Sequence, residues 1–269
     1  AENFNPIGGT LIMNGSGADA TISLHSSANF YNLSVNSGSY DVDAGSNFVV
    51  NGALTVIGGE LDILARTVTV AGASDVASGA ILNINGSGVF DADGSFDASG
   101  GTINMDGTAR LQLASTVTNL GTLDNAAGTV EYDEDGGTQA VLADDYYNLE
   151  IDQSGVKSQA AGTMTVAGTM TVQSAATYAL DTRDITVTGT TTSPGTIRVS
   201  TGTYTASGAT DFSNGTLSIT GTGDYDANNT FTASSGNVTF TGAGFLRCNN
   251  TVSSLGTLST GAGTVEYDG

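Results

Sequence analysis

The chain repeats itself about every 21 residues, and a period of that length marks a coiled repeat fold rather than a mixed globule. The segments GSYDVDAGSNFVVNGALTVIG from Gly38, GELDILARTVTVAGASDVASG from Gly59, AILNINGSGVFDADGSFDASG from Ala80 and GTINMDGTARLQLASTVTNLG from Gly101 each divide into three short strands and their turns. The second half continues with ATYALDTRDITVTGTTTSPG from Ala176, TIRVSTGTYTASGATDFSNG from Thr196, TLSITGTGDYDANNTFTASSG from Thr216 and NVTFTGAGFLRCNNTVSSLG from Asn237.

Within the strands apolar residues alternate with polar ones: Leu61 and Ile63, Leu82 and Ile84, Ile103 and Met105, Leu217 and Ile219, Val238 and Phe240. Alternation places one set on one face. Antiparallel hairpins alternate too, but they do not return the same side chain to the same phase in every repeat. A coil that rises one strand spacing per turn, about 4.8 Å, does so naturally. Short β-branched and aromatic runs are bounded throughout by Gly, Asn, Asp and Ser, and no window carries the charged 3.6-residue pattern of a surface helix. The pattern predicts an all-β fold, a single-stranded right-handed parallel β-helix, that is, a three-sided β-solenoid of roughly 11 coils running continuously over residues 1–269.

A longer period overlies the coils. At an offset of 135, Leu82 falls on Leu217, Phe90 on Tyr225, Phe96 on Phe231, Leu111 on Leu246 and Tyr132 on Tyr267. FYNLSV from Phe30 falls on YYNLEI from Tyr146 at an offset of 116, so the second composite unit carries one extra coil, most simply Thr196 to Gly215. The expected division is a first unit at 8–126, a second at 127–261 and the opening of a third at 262–269, where GTVEYDG repeats the GTVEYD of Gly128 to Asp133. Coil length breaks where units open, which predicts lateral excursions at 14–31 and 133–148.

Composition narrows the function classes. A net charge of -21 with six Lys or Arg argues against nucleic acid and against an anionic membrane surface, since both need a basic face. No apolar run approaches the roughly 20 residues of a spanning helix. One cysteine, Cys248, permits no internal disulfide; it takes the place of Leu113 in the other unit, which predicts a buried thiol. The lone His25 reads as a strand-end residue and cannot build a histidine metal site.

Asp41, Asp62, Asn83, Asn104 and Asn125 stand at 21-residue intervals on the outward phase. Stacking puts the two carboxylates about 5 Å apart, a spacing that raises proton affinity or invites a cation. The ladder is similar to the carboxylate clusters on one sheet of pectin-degrading β-helices. No cation sits beside the pair to bind an acidic sugar, and the second unit reads Ala179, Arg198, Ser218 and Thr239 there. No catalytic residue is assigned. In the second excursion, Asp133, Asp135, Asp144 and Asp145 supply the oxygen ligands that calcium prefers, the one cofactor this chain suggests. Asn228 and Asn249 recur one coil apart, as stacked amides that hydrogen-bond along the axis would.

At YYNLEI, followed by AGTMTVAGTMTV from Ala161, the chain resembles the Gly and Thr-rich β-solenoid repeats of large secreted bacterial surface proteins, including autotransporter-like and haemagglutinin-like adhesins. That resemblance implies a fibre, stalk or adhesin at the cell surface or outside the cell, and implies no catalytic residues. Scarce Lys, 66 Ser and Thr, and a low pI agree with an extracellular place. The function expected is an extracellular structural protein, not an enzyme: a filament subunit or repeat segment that self-associates head-to-tail. Ile7, Thr10 and Leu11 stand at one coil edge and Val265 and Tyr267 at the other. A surface adhesin or stalk that binds a glycan or protein ranks second, and a polysaccharide lyase or hydrolase third.

Overall fold

The structure, a computed structural model, describes residues 7–17, 20–22, 29–42, 47–259 and 261–268. It is an all-β parallel β-solenoid of about 12 turns with about 21 residues per turn. The chain forms two compact units, Ala1–Glu131 and Tyr132–Gly269. His25 lies outside the described residues.

In the first unit one side stacks Thr10–Asn14, Asn32–Ser37, Leu54–Val56, Ser74–Val76, Phe96–Asp97 and Val117–Asn119. A second stacks Ala20–Ile22, Ser39–Val42, Glu60–Ile63, Ile81–Ile84, Thr102–Met105 and Thr122–Asn125. The third runs from Asn29–Phe30 through Phe48–Val50, Thr67–Val70 and Val89–Ala92 to Arg110–Leu113. The second unit also has three sides. They begin at Thr138–Val141, Asp145–Tyr146 and Asn148–Ile151 and reach Thr257–Ser259, Thr264–Tyr267 and Val252–Ser254. Strand pairing is parallel throughout, Leu61 facing Leu82, and Leu217 facing Val238.

Alternation fixes the core. Leu61, Ile63, Leu82, Ile84, Ile103, Met105, Leu217, Ile219, Val238 and Phe240 are all buried. Each such side chain contributes about 1.5–3 kcal/mol relative to an exposed one. The aromatic pairs obey the 135-residue offset: Phe90 and Phe96 meet edge-on at 6.1 Å, Tyr225 and Phe231 at 6.3 Å. In the second unit Tyr204 stacks on Tyr225 at 4.7 Å, and their hydroxyls meet the inward hydroxyls of Thr191 at 2.8 Å and Thr210 at 3.3 Å. These four hydroxyls are thus paired inside the coil, as a dry core favours, whereas Ser74 Oγ, Ser193 Oγ and Asn125 Nδ2 are buried without a hydrogen-bond partner among the described residues.

FYNLSV and YYNLEI have a common structural role. The Asn32 side chain accepts from Ala53 N at 2.8 Å, and the Asn148 side chain accepts from Thr169 N at 2.8 Å, so each ties its own coil to the turn of the next. Gly52 and Gly168 sit against these amides, where a Cβ would collide with Asn32 Oδ1 or Asn148 Oδ1.

Three expectations need correction. The 133–148 stretch is no lateral excursion: Thr138–Val141 pairs with Gly155–Gln159, and Asp145–Tyr146 pairs with Met164–Val166. It is a coil in its own right, which raises the count from roughly 11 to about 12. Its length misled because Thr138 faces Val156, only 18 residues on, while acid-rich turns take the remainder. Of the 14–31 stretch, Ala20–Ile22 and Asn29–Phe30 are likewise coil strands, paired with Ser39–Val42 and Phe48–Val50; residues 18–19 and 23–28 lie outside the described residues. Finally, Asn104 faces Asp124, not Asn125, because that coil is one residue short. Asn125 faces Met105 and is buried.

Candidate functional site

The polar ladder on the second side of the first unit is the best-formed arrangement of functional groups there. Parallel register puts Thr21, Asp41, Asp62, Asn83, Asn104 and Asp124 in one row, each facing the next. Asn83 Nδ2 donates to Asp62 Oδ1 at 2.5 Å and to Glu60 Oε1, and Asn104 Nδ2 donates to Asn83 Oδ1 at 2.8 Å. The Ser39 hydroxyl donates to Asp62 Oδ2 at 3.4 Å. One amide therefore serves two carboxylates. Glu60 and Asp62 share a face because they are two residues apart on one strand.

Asp62 is only 9 % exposed. Desolvation holds its carboxyl above the usual range, Glu60 and Asp41 add to that, and the bonds from Asn83 and Ser39 oppose it. Beside the row lies a groove of about 340 Å³ lined by Glu60, Asn83, Asn85, Asn104, Asp106 and Asp124 among others. Carboxylates and amides of this kind can accept from and donate to hydroxyl groups.

The acid-rich opening of the second unit is organised differently from the expected calcium loop. Asp135 accepts from Ser154 Oγ at 2.6 Å, Asp144 accepts from Asp145 N at 2.8 Å, and Asp145 accepts from Thr165 Oγ1 at 2.6 Å. No three of Asp133, Asp135, Asp144 and Asp145 bring one carboxylate oxygen each within 4.8 Å of one another. The four are dispersed because Asp133 and Asp135 sit before Thr138–Val141, whereas Asp144 follows it and Asp145 opens the next strand, Asp145–Tyr146.

A group the sequence reading missed occupies this corner. Lys157 is the one lysine in the chain. It lies on Gly155–Gln159, pointing inward between Gln139 and Tyr178, and is fully buried. Its Nζ donates to three backbone carbonyls: Glu134 O at 2.7 Å, Ser154 O at 2.8 Å and Gln153 O at 3.2 Å. Burial lowers its pKa, and the neighbouring Glu134, Asp133, Asp152 and Asp135 work against that lowering. Around it the interior stays polar: Tyr178 OH donates to Gln159 Oε1 at 2.9 Å, and Gln159 Nε2 donates to Asp184 O at 2.9 Å. Tyr132 OH and Tyr146 OH lie 3.0 Å apart, and burial pushes the Tyr132 hydroxyl up to about 12. Alternation along Gly-Val-Lys-Ser-Gln, which puts Lys157 and Gln159 inward, was the available signal.

Two smaller readings can be placed. Cys248 is buried on the inward phase and burial pushes its thiol up to about 11, which makes it a poor nucleophile. Asn249 Nδ2 donates to Asn228 Oδ1 at 2.6 Å across one coil. No known protein family, curated protein or solved structure matches the chain.

Proposed function

We propose that this chain is a structural element of an extracellular β-solenoid filament, built by stacking coil on coil through open edges. The observation that supports the reading is the constant register from coil to coil, in which Leu61 faces Leu82 and Leu217 faces Val238, so that each coil covers the apolar layer of the next. Leu11 and Leu258 are each 39 % exposed, while Leu33 and Val238, which they face, are fully buried. Tyr267 is 59 % exposed above a buried Cys248. Ile7 and Thr10 are exposed beside Leu11, and Val265 stands on Leu246 at the other edge.

A further coil in the same register would pair with a terminal strand and cover its apolar layer, as every coil within the chain does for its neighbour. That coil can come from a second copy or from more of the same array. Between copies the contact is heterologous and propagates without closing. Electron microscopy and sedimentation of the purified chain should show rods that lengthen with concentration. Leu11→Asp or Val265→Asp should shorten them without changing the circular dichroism of the coil. Particles that stay single-copy at high concentration across salt conditions would sink the reading.

The groove beside the Asp and Asn ladder favours one second reading, a stalk that binds a surface glycan. It expects saturable binding to a neutral oligosaccharide, weakened at least tenfold by Asn104→Ala; equal binding by wild type and variant removes it.

A further inference from the structure

We infer that the ammonium of Lys157 is the resident cation of the acid-rich corner, filling from within the fold a carbonyl cage that would otherwise call for a dissolved ion, and so freeing that corner from dependence on calcium. Three observations combine. The chain carries 27 Asp and Glu against a single lysine, yet that lysine is fully buried. An exposed position would cost nothing to solvate, whereas a buried ammonium is retained only where its surroundings replace water.

The replacement is complete. An ammonium has three protons, and Lys157 Nζ has three carbonyl acceptors, on Glu134, Gln153 and Ser154. These come from two successive turns. Gly136 N donates to Ser154 O and Val156 N donates to Gly137 O, so the turn at 133–137 lies directly on the turn at 152–155, and Lys157 fastens one to the other. Carbonyl groups of stacked turns converge there on one point, and an ammonium with three N–H donors satisfies all of them at once.

The three contacts are ordinary hydrogen bonds of an ammonium. The distances of 2.7 to 3.2 Å are those of an N–H donor, and longer than the roughly 2.3–2.6 Å of calcium to oxygen. Asp133, Glu134, Asp135 and Asp152 surround the group and supply its countercharge, while Asp144 and Asp145, the other half of the expected calcium set, are engaged elsewhere.

Two experiments on the whole chain test this. Acetylation of the native protein, followed by intact-mass and peptide analysis, reads a single ε-amine. Modification of Lys157 should be slowed at least ~100-fold relative to the urea-unfolded chain, because reaction then waits for local opening. Labelling as fast as in the unfolded chain overturns the inference.

In the second, thermal unfolding is followed in calcium and in EDTA. Wild type should have the same midpoint in both. Lys157→Ala should lose roughly 10 °C and regain part of it with propylammonium, which restores the missing donor, and not with tetramethylammonium at equal ionic strength. A wild type stabilised by calcium, or a variant that neither loses stability nor responds to propylammonium, also overturns it. Should Lys157→Ala fail to fold, the labelling rate and the wild-type calcium response decide the matter alone.

Discussion

Asp62 illustrates how a single residue can reverse the usual pH behaviour of a carboxylate. It faces Asp41 across one coil, has Glu60 on its own strand, and is covered. Desolvation, the largest cause, holds its pKa above 3.8. An acid whose folded pKa is raised binds its proton more tightly folded than unfolded. Stability is therefore gained as the pH falls from neutral through the folded pKa, and the gain is complete below the unfolded value. Asp91 and Asp144 shift in the same direction, again mainly by burial. The unfolding midpoint should rise as the pH is lowered from neutral toward the ordinary carboxyl range of about 4. Asp62→Asn should be more stable at neutral pH by up to about 1 kcal/mol, through relief of the like-charge pair, and should flatten part of the rise. Midpoints measured across this range for both proteins check it; superimposable profiles would mean that Asp62 is not involved.

The strand-and-turn element built around Asn148 is held by one side chain and made possible by one missing side chain. Asn148→Ala removes the acceptor of Thr169 N and should cost about 1–3 kcal/mol, because a coil-internal amide is left without its partner. Gly168→Ala places a Cβ 2.5 Å from that same Asn148 Oδ1 and should cost about 1–3 kcal/mol by overpacking. Since the tightest clash is with the group the first change deletes, while the 3.0 Å approach to Tyr147 O remains, the double variant should cost less than the sum by at least ~0.5 kcal/mol. Urea denaturation of the four proteins gives the coupling, and strict additivity would contradict the contact.

The same elements show how far the sequence could be read. Inward phases such as Leu61 and Ile63 were legible because alternation is local and does not depend on turn length. The equivalence of Asn32 and Asn148 was legible as a repeated phrase. What failed was counting across turns. Coils vary, Thr138 facing Val156 after 18 residues and Val68 facing Phe90 after 22, so a strict 21-residue count put Asn125 outward where the Leu123 phase puts Asp124. Acid-rich composition suggested a loop at 133–148 because nothing local says that Lys157 closes the corner from inside. That contact joins residues 23 apart and is decided by stacking alone.

For the molecule as a whole, charge is arranged so that arginines such as Arg110 and Arg247 tie coils together while the acids repel. Arg110 reaches Glu131 one coil on, with Gln112 donating to the same carboxylate at 2.8 Å. Arg247 lies between Asp226 at 3.2 Å in the coil below and Glu266 at 3.1 Å in the coil above, with Asp224 at 2.8 Å. These are pairs between close partners, which salt screens weakly, whereas the surplus of 21 negative charges acts over longer distances. Repeating coils are about 4.8 Å apart, well inside the ~30 Å screening length at 0.01 M salt and still inside the ~8 Å length at 0.15 M. Repulsion between non-adjacent coils is thus the component that added salt removes first. Sodium chloride between about 0.01 and 0.5 M should raise the unfolding midpoint of the chain, and Arg247→Gln should steepen that dependence by removing an attractive contribution near Asp224, Asp226 and Glu266. The measurement is a midpoint against salt series with choline chloride as a second electrolyte, to separate screening from specific sodium binding. A midpoint that falls with salt in both electrolytes would place the arginine pairs, rather than the acidic surplus, in control of coil stacking.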